Sequence, residues 1–196
     1  MFMKDLIKVL TVNACGVYNC SVTKKSVRDH PDLKQNYGGN YKMNKNRYLV
    51  HAAFIAAIYA VLTIAFAPLS YGQIQVRFSE ALTILPFFTP AAIPGLFVGC
   101  IVANFFGPGG MLDVVFGSAA SLIAAYLTRK MPAKWLAPLP PVIVNGVIIG
   151  FLLNYMYQLP LLVTMGWVAL GELISCYFIG YPLLLLLEKY RDKIFK

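Results

Sequence analysis

Residues 135–171 run for 37 positions without an Asp, Glu, Lys or Arg. A bilayer crossing takes about 20 apolar residues, so this run holds nearly two crossings. It is interrupted at Gln158-Leu159-Pro160, where the backbone can turn. The pattern predicts a helix, a tight turn and the start of a second helix, all in lipid. Reading the other apolar runs in the same way predicts helices near residues 48–67, 79–88, 91–106, 112–128, 141–157 and 161–187. The second is short for a crossing, and Pro86 and Pro90 predict a kinked or partly inserted hairpin there. A membrane barrel would need alternating apolar and polar positions, which the runs lack. The predicted class is an all-α integral membrane protein with six transmembrane helices.

Composition agrees, with 59% hydrophobic and 13% charged residues and a mean hydropathy of +0.66. The cations then orient the chain, because short loops rich in Lys and Arg stay in the cytoplasm. Lys42, Lys45 and Arg47 precede the first predicted helix, Arg129, Lys130 and Lys134 follow the fourth, and Lys189, Arg191, Lys193 and Lys196 follow the sixth. An even number of crossings puts all three clusters on one side. Both termini are expected in the cytoplasm of a cell-membrane protein, with loops 68–77, 107–110 and 158–160 outside. The net charge of +9 is then mostly this topology signal plus residues 1–42, and gives no reason to expect nucleic acid as a partner.

Residues 1–42 are of another kind. They carry seven Lys or Arg, three Asp, His30, Cys15 and Cys20, with no sustained apolar period and no signal-peptide layout. The segment Tyr37-Gly38-Gly39-Asn40-Tyr41-Lys42-Met43 has the form of a translated ribosome-binding site, since Gly-Gly can be encoded GGAGGN just upstream of an ATG. Residues 1–42 are accordingly expected to be an extension from a misplaced start, with residues 43–196 as the membrane domain. Cys100 and Cys176, inside predicted spans, read as small apolar packing residues.

The first helix carries a row of Ala52, Ala56 and Ala60, with Ala53 and Ala57 in a parallel row. Small residues at a spacing of four let helices approach closely in lipid. They serve either internal packing or a partner, and two adjacent rows on the first helix favour a partner protein.

Ionisable groups within spans are costly and mark function. Arg77 and Glu80 begin the second helix, where they can form a mutual i,i+3 ion pair. Asp113 begins the fourth and can cap it. Glu172 lies halfway along the sixth, after 37 uncharged residues and before 15 more. Asn145 and Asn154 read as interhelical hydrogen-bonding residues, and Asn104 adds a third amide. There is no phosphate-binding Gly-x-x-x-x-Gly-Lys-[Ser/Thr] loop, no His-Glu-x-x-His pair, no Gly-x-Ser-x-Gly elbow and no Cys-x-x-Cys. His51 sits alone at the cytoplasmic end of the first helix. The chain reads as a binding protein, with no enzyme activity, cofactor or metal expected.

The stretch Tyr71-Gly72-Gln73-Ile74-Gln75-Val76-Arg77-Phe78-Ser79-Glu80-Ala81-Leu82-Thr83-Ile84-Leu85-Pro86 resembles the QueT family. So do Gly95-Leu96-Phe97-Val98-Gly99-Cys100-Ile101-Val102-Ala103-Asn104 and Asp113-Val114-Val115-Phe116-Gly117-Ser118. These are substrate-binding (S) components of energy-coupling factor (ECF) transporters, assigned to queuosine precursors. The resemblance runs from Met43 to the C-terminus. It implies the six-helix S-component fold, an Ala-x-x-x-Ala face docking on a transmembrane coupling subunit, and ATP hydrolysis by two separate ATPase subunits.

The implied small-molecule substrate, a 7-deazaguanine such as 7-aminomethyl-7-deazaguanine, presents N–H donors, a carbonyl, a flat aromatic face and a cation. Carboxylates, amides and aromatic rings would recognise it. Glu172 and Glu80 are the leading carboxylates, with Asp113 a further candidate. Asn104 and Gln75 are the amides, and Tyr71 and Trp167 the stacking rings. The alternatives are an S component for another heterocycle, such as riboflavin or thiamine, and a non-transporting membrane scaffold.

Expression from Met43 is predicted to give a membrane-inserted, ligand-binding protein. Native peptides mapping upstream of Met43, or loss of insertion in the shortened chain, would contradict the start-site expectation.

Overall fold

The computed structural model describes residues 45–71 and 76–189. Residues 1–42, the Gly-Gly segment before Met43, and Gln75 therefore lie outside the described residues. The described chain is helical, and it contains no strand. Helix α1 spans Lys45–Ala65 and is followed by a single turn, Ala67–Ser70. A 3-10 helix covers Phe78–Phe87, α2 Ala92–Phe105, α3 Gly110–Arg129 and α4 Leu139–Tyr157. The last helix, α5, runs over Leu161–Lys189 with a π-helical stretch at Ile174–Gly180.

Helices thus occur at each of the six predicted places, but they are unequal. Four segments are long and apolar enough to cross a membrane: Lys45–Ala65, Gly110–Arg129, Lys134–Tyr157 and Leu161–Lys189. Helix α2 has 14 residues, about 21 Å at 1.5 Å per residue, against a hydrocarbon core of about 30 Å. The 3-10 helix has 10, about 20 Å at its rise of about 2 Å. Such helices rarely exceed three or four residues, and this one is sustained by its surroundings. Seven of its residues, Ser79 to Ala81 and Thr83 to Pro86, are buried, with α1, α2, α3 and α5 packed around it.

Local chemistry sets the turns. Pro140 and Pro141 sit in the first turn of α4, where a missing N–H costs nothing. At its far end Gln158 takes the left-handed conformation, φ 54°, and Pro160 then starts α5. Asn154, expected to bridge helices, instead donates to the Leu159 carbonyl and closes this turn. Before α3, Gly110 takes φ 62°, a value glycine reaches without steric cost.

The arrangement of side chains inverts that of a water-soluble protein. Val50, Phe54, Val61, Phe105, Phe151, Leu162 and Phe178 stand exposed, while Arg77, Glu80, Asn104, Asp113, Asn145 and Glu172 are buried. Lipid is the solvent that suits such a surface. The segments around Lys134 and Glu188 meet at one end of the bundle. Lys134 pairs there with Glu188 at 2.5 Å, and Arg129 donates to the carbonyl of Pro86, at the end of the 3-10 helix, at 3.4 Å.

The alanine rows of α1 divide between two environments. Ala56 and Ala60 are buried and Ala52 is partly so, whereas Ala53 and Ala57 are exposed. The first row meets glycines of α2: a Cβ on Gly95 would stand 2.7 Å from the Ala52 carbonyl oxygen, and one on Gly99 would stand 2.8 Å from that of Ala56. Small residues on both helices bring the backbones together. This places Ala52 and Ala56 in internal packing and leaves Ala53 and Ala57, with Val50 and Val61, facing outward.

Ala56→Leu and Gly99→Leu should each destabilise the detergent-solubilised protein by about 1–3 kcal/mol through overpacking, whereas Ala57→Leu should leave the melting temperature unchanged. Thermal melts check this, and equal melting temperatures for all three variants would contradict the packing described.

Candidate functional site

At the end opposite the cation-rich segments, a cavity of about 720 Å³ opens between the loop ends and the outer turns of α4 and α5. Tyr71, Asp113 and Trp167 line it together with Thr164, Met156 and Pro108. Its size lies within the range of small-molecule sites, about 300–1,000 Å³. The approach of the chain to Tyr71 depends on Gly107, where a Cβ would come within 2.7 Å of the ring. The Tyr71 hydroxyl donates to the carbonyl of Ala103 at 2.7 Å, and burial pushes its pKa up.

Beneath this cavity lies a polar interior. Arg77 Nη2 is 3.7 Å from Asp113 Oδ2, with both side chains buried. The guanidinium also lies 5.5 Å from the Tyr71 ring centroid and donates through Nε to the Ser70 carbonyl at 3.2 Å. The ion pair therefore joins the 3-10 helix to α3, rather than forming within one helix with Glu80. The N-cap position of α3 is taken by Gly109, four residues before Asp113. The Asp113 backbone carbonyl accepts from Asn104 Nδ2 at 3.0 Å. Gly117 leaves room for that amide, since a Cβ there would stand 2.4 Å from Nδ2.

Glu80 accepts a hydrogen bond from the Tyr59 hydroxyl of α1 at 2.5 Å, and its backbone carbonyl accepts from the Thr83 hydroxyl at 2.5 Å. Glu172 accepts from Asn145 Nδ2 of α4 at 2.9 Å, the interhelical bond expected of Asn145. Cys176 lies between the two glutamates, with Sγ 3.6 Å from the Glu80 carbonyl oxygen and 3.7 Å from Glu172 Oε2. This cysteine, read from the sequence as apolar packing, touches the polar cluster directly. It sits on the π-helical stretch that begins two residues after Glu172, and π-bulges are frequent at functional sites.

The structure thus brings Tyr71, Asp113 and Trp167 together in the cavity wall and puts Glu80, Glu172 and Asn104 deeper. Glu172 lies eight residues beyond Thr164 on α5, about 12 Å along the axis. Asp113 belongs to both levels, facing the cavity and pairing with Arg77. Tyr59, Thr83 and Cys176 bond within the polar interior and Thr164 lines the cavity, places not read from the sequence. Only Tyr59 left a sequence signal, as a polar-tipped side chain beside the alanine row.

Several buried atoms have no hydrogen-bond partner: Glu80 Oε2, Asn104 Oδ1 and Asn145 Oδ1 are acceptors, and Arg77 Nη2 is a donor. Buried polar atoms in native proteins are nearly always paired. Glu80 Oε2, Asn104 Oδ1 and Asn145 Oδ1 are thus left able to accept hydrogen bonds. Among the described residues, no group of three His, Cys, Asp or Glu side chains gathers as a metal site.

Comparison with known proteins places the chain in context. The family profile described as QueT transporter matches residues 49–189. A curated relative, the "Queuosine precursor transporter QueT" of Lactococcus lactis subsp. cremoris, is 30% identical over 155 residues, covering 71% of this chain and 90% of the relative. No solved structure gives a significant match.

Asp113→Asn should destabilise the protein by about 3–5 kcal/mol, because it leaves the Arg77 charge buried without its partner. Arg77→Met combined with Asp113→Leu should be less damaging than Asp113→Asn alone. Denaturation of wild type and both variants in one detergent tests this, and a double variant less stable than Asp113→Asn would contradict a coupled pair.

Proposed function

Because this chain belongs to the QueT transporter family, we propose that it is the substrate-binding subunit of an ECF-type importer for a queuosine precursor of the 7-deazaguanine class. The observation that carries this reading is the set of buried acceptors without a hydrogen-bond partner, Glu80 Oε2, Asn104 Oδ1 and Asn145 Oδ1. A 7-deazaguanine brings the converse set, several N–H donors and one carbonyl.

In this reading the cavity between Tyr71 and Trp167 admits the flat ring. Glu172 and Asn145 then receive the donors of its pairing edge. An amide beside a carboxylate suits that edge, since the ionised carboxylate is an acceptor only and the amide carbonyl adds a further acceptor. Burial strengthens both contacts, because water no longer competes. Recognition of this kind is binding without covalent chemistry.

Release requires work from outside the chain. The QueT resemblance supplies a coupling subunit and two ATPase subunits, and the outward row of Ala53 and Ala57 offers a smooth strip on α1 for the coupling subunit to contact. The cation-rich end, where Lys134 and Glu188 meet, is taken as cytoplasmic by the positive-inside rule, so the cavity faces outward. Residues 1–42 are proposed to be dispensable for this domain.

Glu172→Gln should weaken binding of 7-aminomethyl-7-deazaguanine by about tenfold to a hundredfold, since a hydrogen bond to a charged acceptor contributes about 1.5–3 kcal/mol. The melting temperature of the ligand-free protein should change little. Calorimetric titration with a parallel thermal melt reads both. Unaltered affinity would remove Glu172 from the site, and failure of the wild-type protein to bind any 7-deazaguanine would favour an S component for another heterocycle or the scaffold.

A further inference from the structure

Four charged side chains are buried among the described residues: Arg77, Glu80, Asp113 and Glu172. Three carboxylates thus stand against one guanidinium. The guanidinium is already committed to Asp113, at 3.7 Å. Glu172 has a neutral amide donor in Asn145. Glu80 has a neutral hydroxyl donor in Tyr59 on one oxygen and nothing on the other, although the residue is fully buried. A carboxylate in such surroundings is costly unless a cation or further donors reach it.

Resting on the reading above, we propose that Glu80 is a subsite for a protonated primary amine, so that the chain selects amine-bearing 7-deazaguanines over neutral ones. Tyr59 is itself fully buried, and its hydroxyl fixes Glu80 Oε1 so that Oε2 is the oxygen left for the ligand. An ammonium group meeting that oxygen makes a charge-assisted hydrogen bond, about twice as strong as a neutral one. It also supplies the positive charge that the interior lacks.

The two glutamates then divide the ligand between them. Glu172 and Asn145, on α5 and α4, take the donor edge of the six-membered ring. Glu80, on the 3-10 helix across Cys176, takes the substituent on the five-membered ring. Arg77 does not repel the amine, because Asp113 holds and neutralises it. A nitrile in place of the aminomethyl group offers an acceptor to an acceptor, and so loses the contact without gaining another.

Calorimetric titration of the full chain with 7-aminomethyl-7-deazaguanine and with 7-cyano-7-deazaguanine tests the assignment. Wild type should bind the amine about tenfold to a hundredfold more tightly than the nitrile. Glu80→Gln should bring the two affinities to within about threefold of each other by weakening the amine alone, whereas Glu172→Gln should weaken both ligands and keep the ratio. The wild-type ratio reads the charge preference without relying on any variant to fold. Equal affinities in wild type, or a preference that survives Glu80→Gln, would overturn the subsite while leaving 7-deazaguanine binding intact. Binding of neither ligand would overturn the parent reading and this subsite with it.

Discussion

Burying charge inside an apolar, lipid-facing bundle is the constraint on which the rest of this structure depends. Taking an ion out of water costs several kcal/mol even after relaxation, and this chain does so with Arg77, Glu80, Asp113 and Glu172. Much of the unusual backbone geometry serves that end. The 3-10 helix carries Glu80 into the middle of the bundle, and the π-helical stretch of α5 sets Cys176 between the two glutamates. Gly117 makes room for the amide that Asn104 holds against α3. Each is a departure from plain α-helix packing, and each lies at the polar interior.

Two levels follow from this arrangement. The outer cavity is walled by aromatic and apolar side chains, with Asp113 and Thr164 as polar points. The inner cluster is rich in acceptors and closed from water. Asp113 lines the outer cavity and pairs with Arg77, so this ion pair stands at the boundary between the levels. A ligand that satisfied the free acceptors would compensate atoms that the empty protein leaves unpaired. Tight binding would then arise from relieving an existing cost as well as from new contacts.

Much of the fold was legible in the sequence, because lipid demands long apolar runs and those runs are directly visible. The turn at Gln158-Leu159-Pro160 and the short second helix followed from the same logic. The facing of α1 did not, since alanine rows look alike whether they meet a partner or a neighbour. The discriminating signal was on α2, where Gly95 and Gly99 repeat the spacing of four. Arg77 and Asp113 are 36 positions apart, and no local rule could choose that pairing over the nearer Glu80. Cys176 was misread because a thiol in an apolar helix gives no sign of its neighbours. Glu172 stands out in the sequence for a simpler reason, because it is alone among uncharged residues.

In the proposed function the buried acceptor cluster, rather than the outer cavity alone, holds the ligand. The most direct measurement is an experimental structure of the protein purified with 7-aminomethyl-7-deazaguanine. The account predicts the pairing edge against Glu172 and Asn145, with the previously free oxygens now within hydrogen-bond distance of ligand donors. A ligand confined between Tyr71 and Trp167, with Glu80 Oε2 and Asn145 Oδ1 still unpartnered below it, would contradict the account.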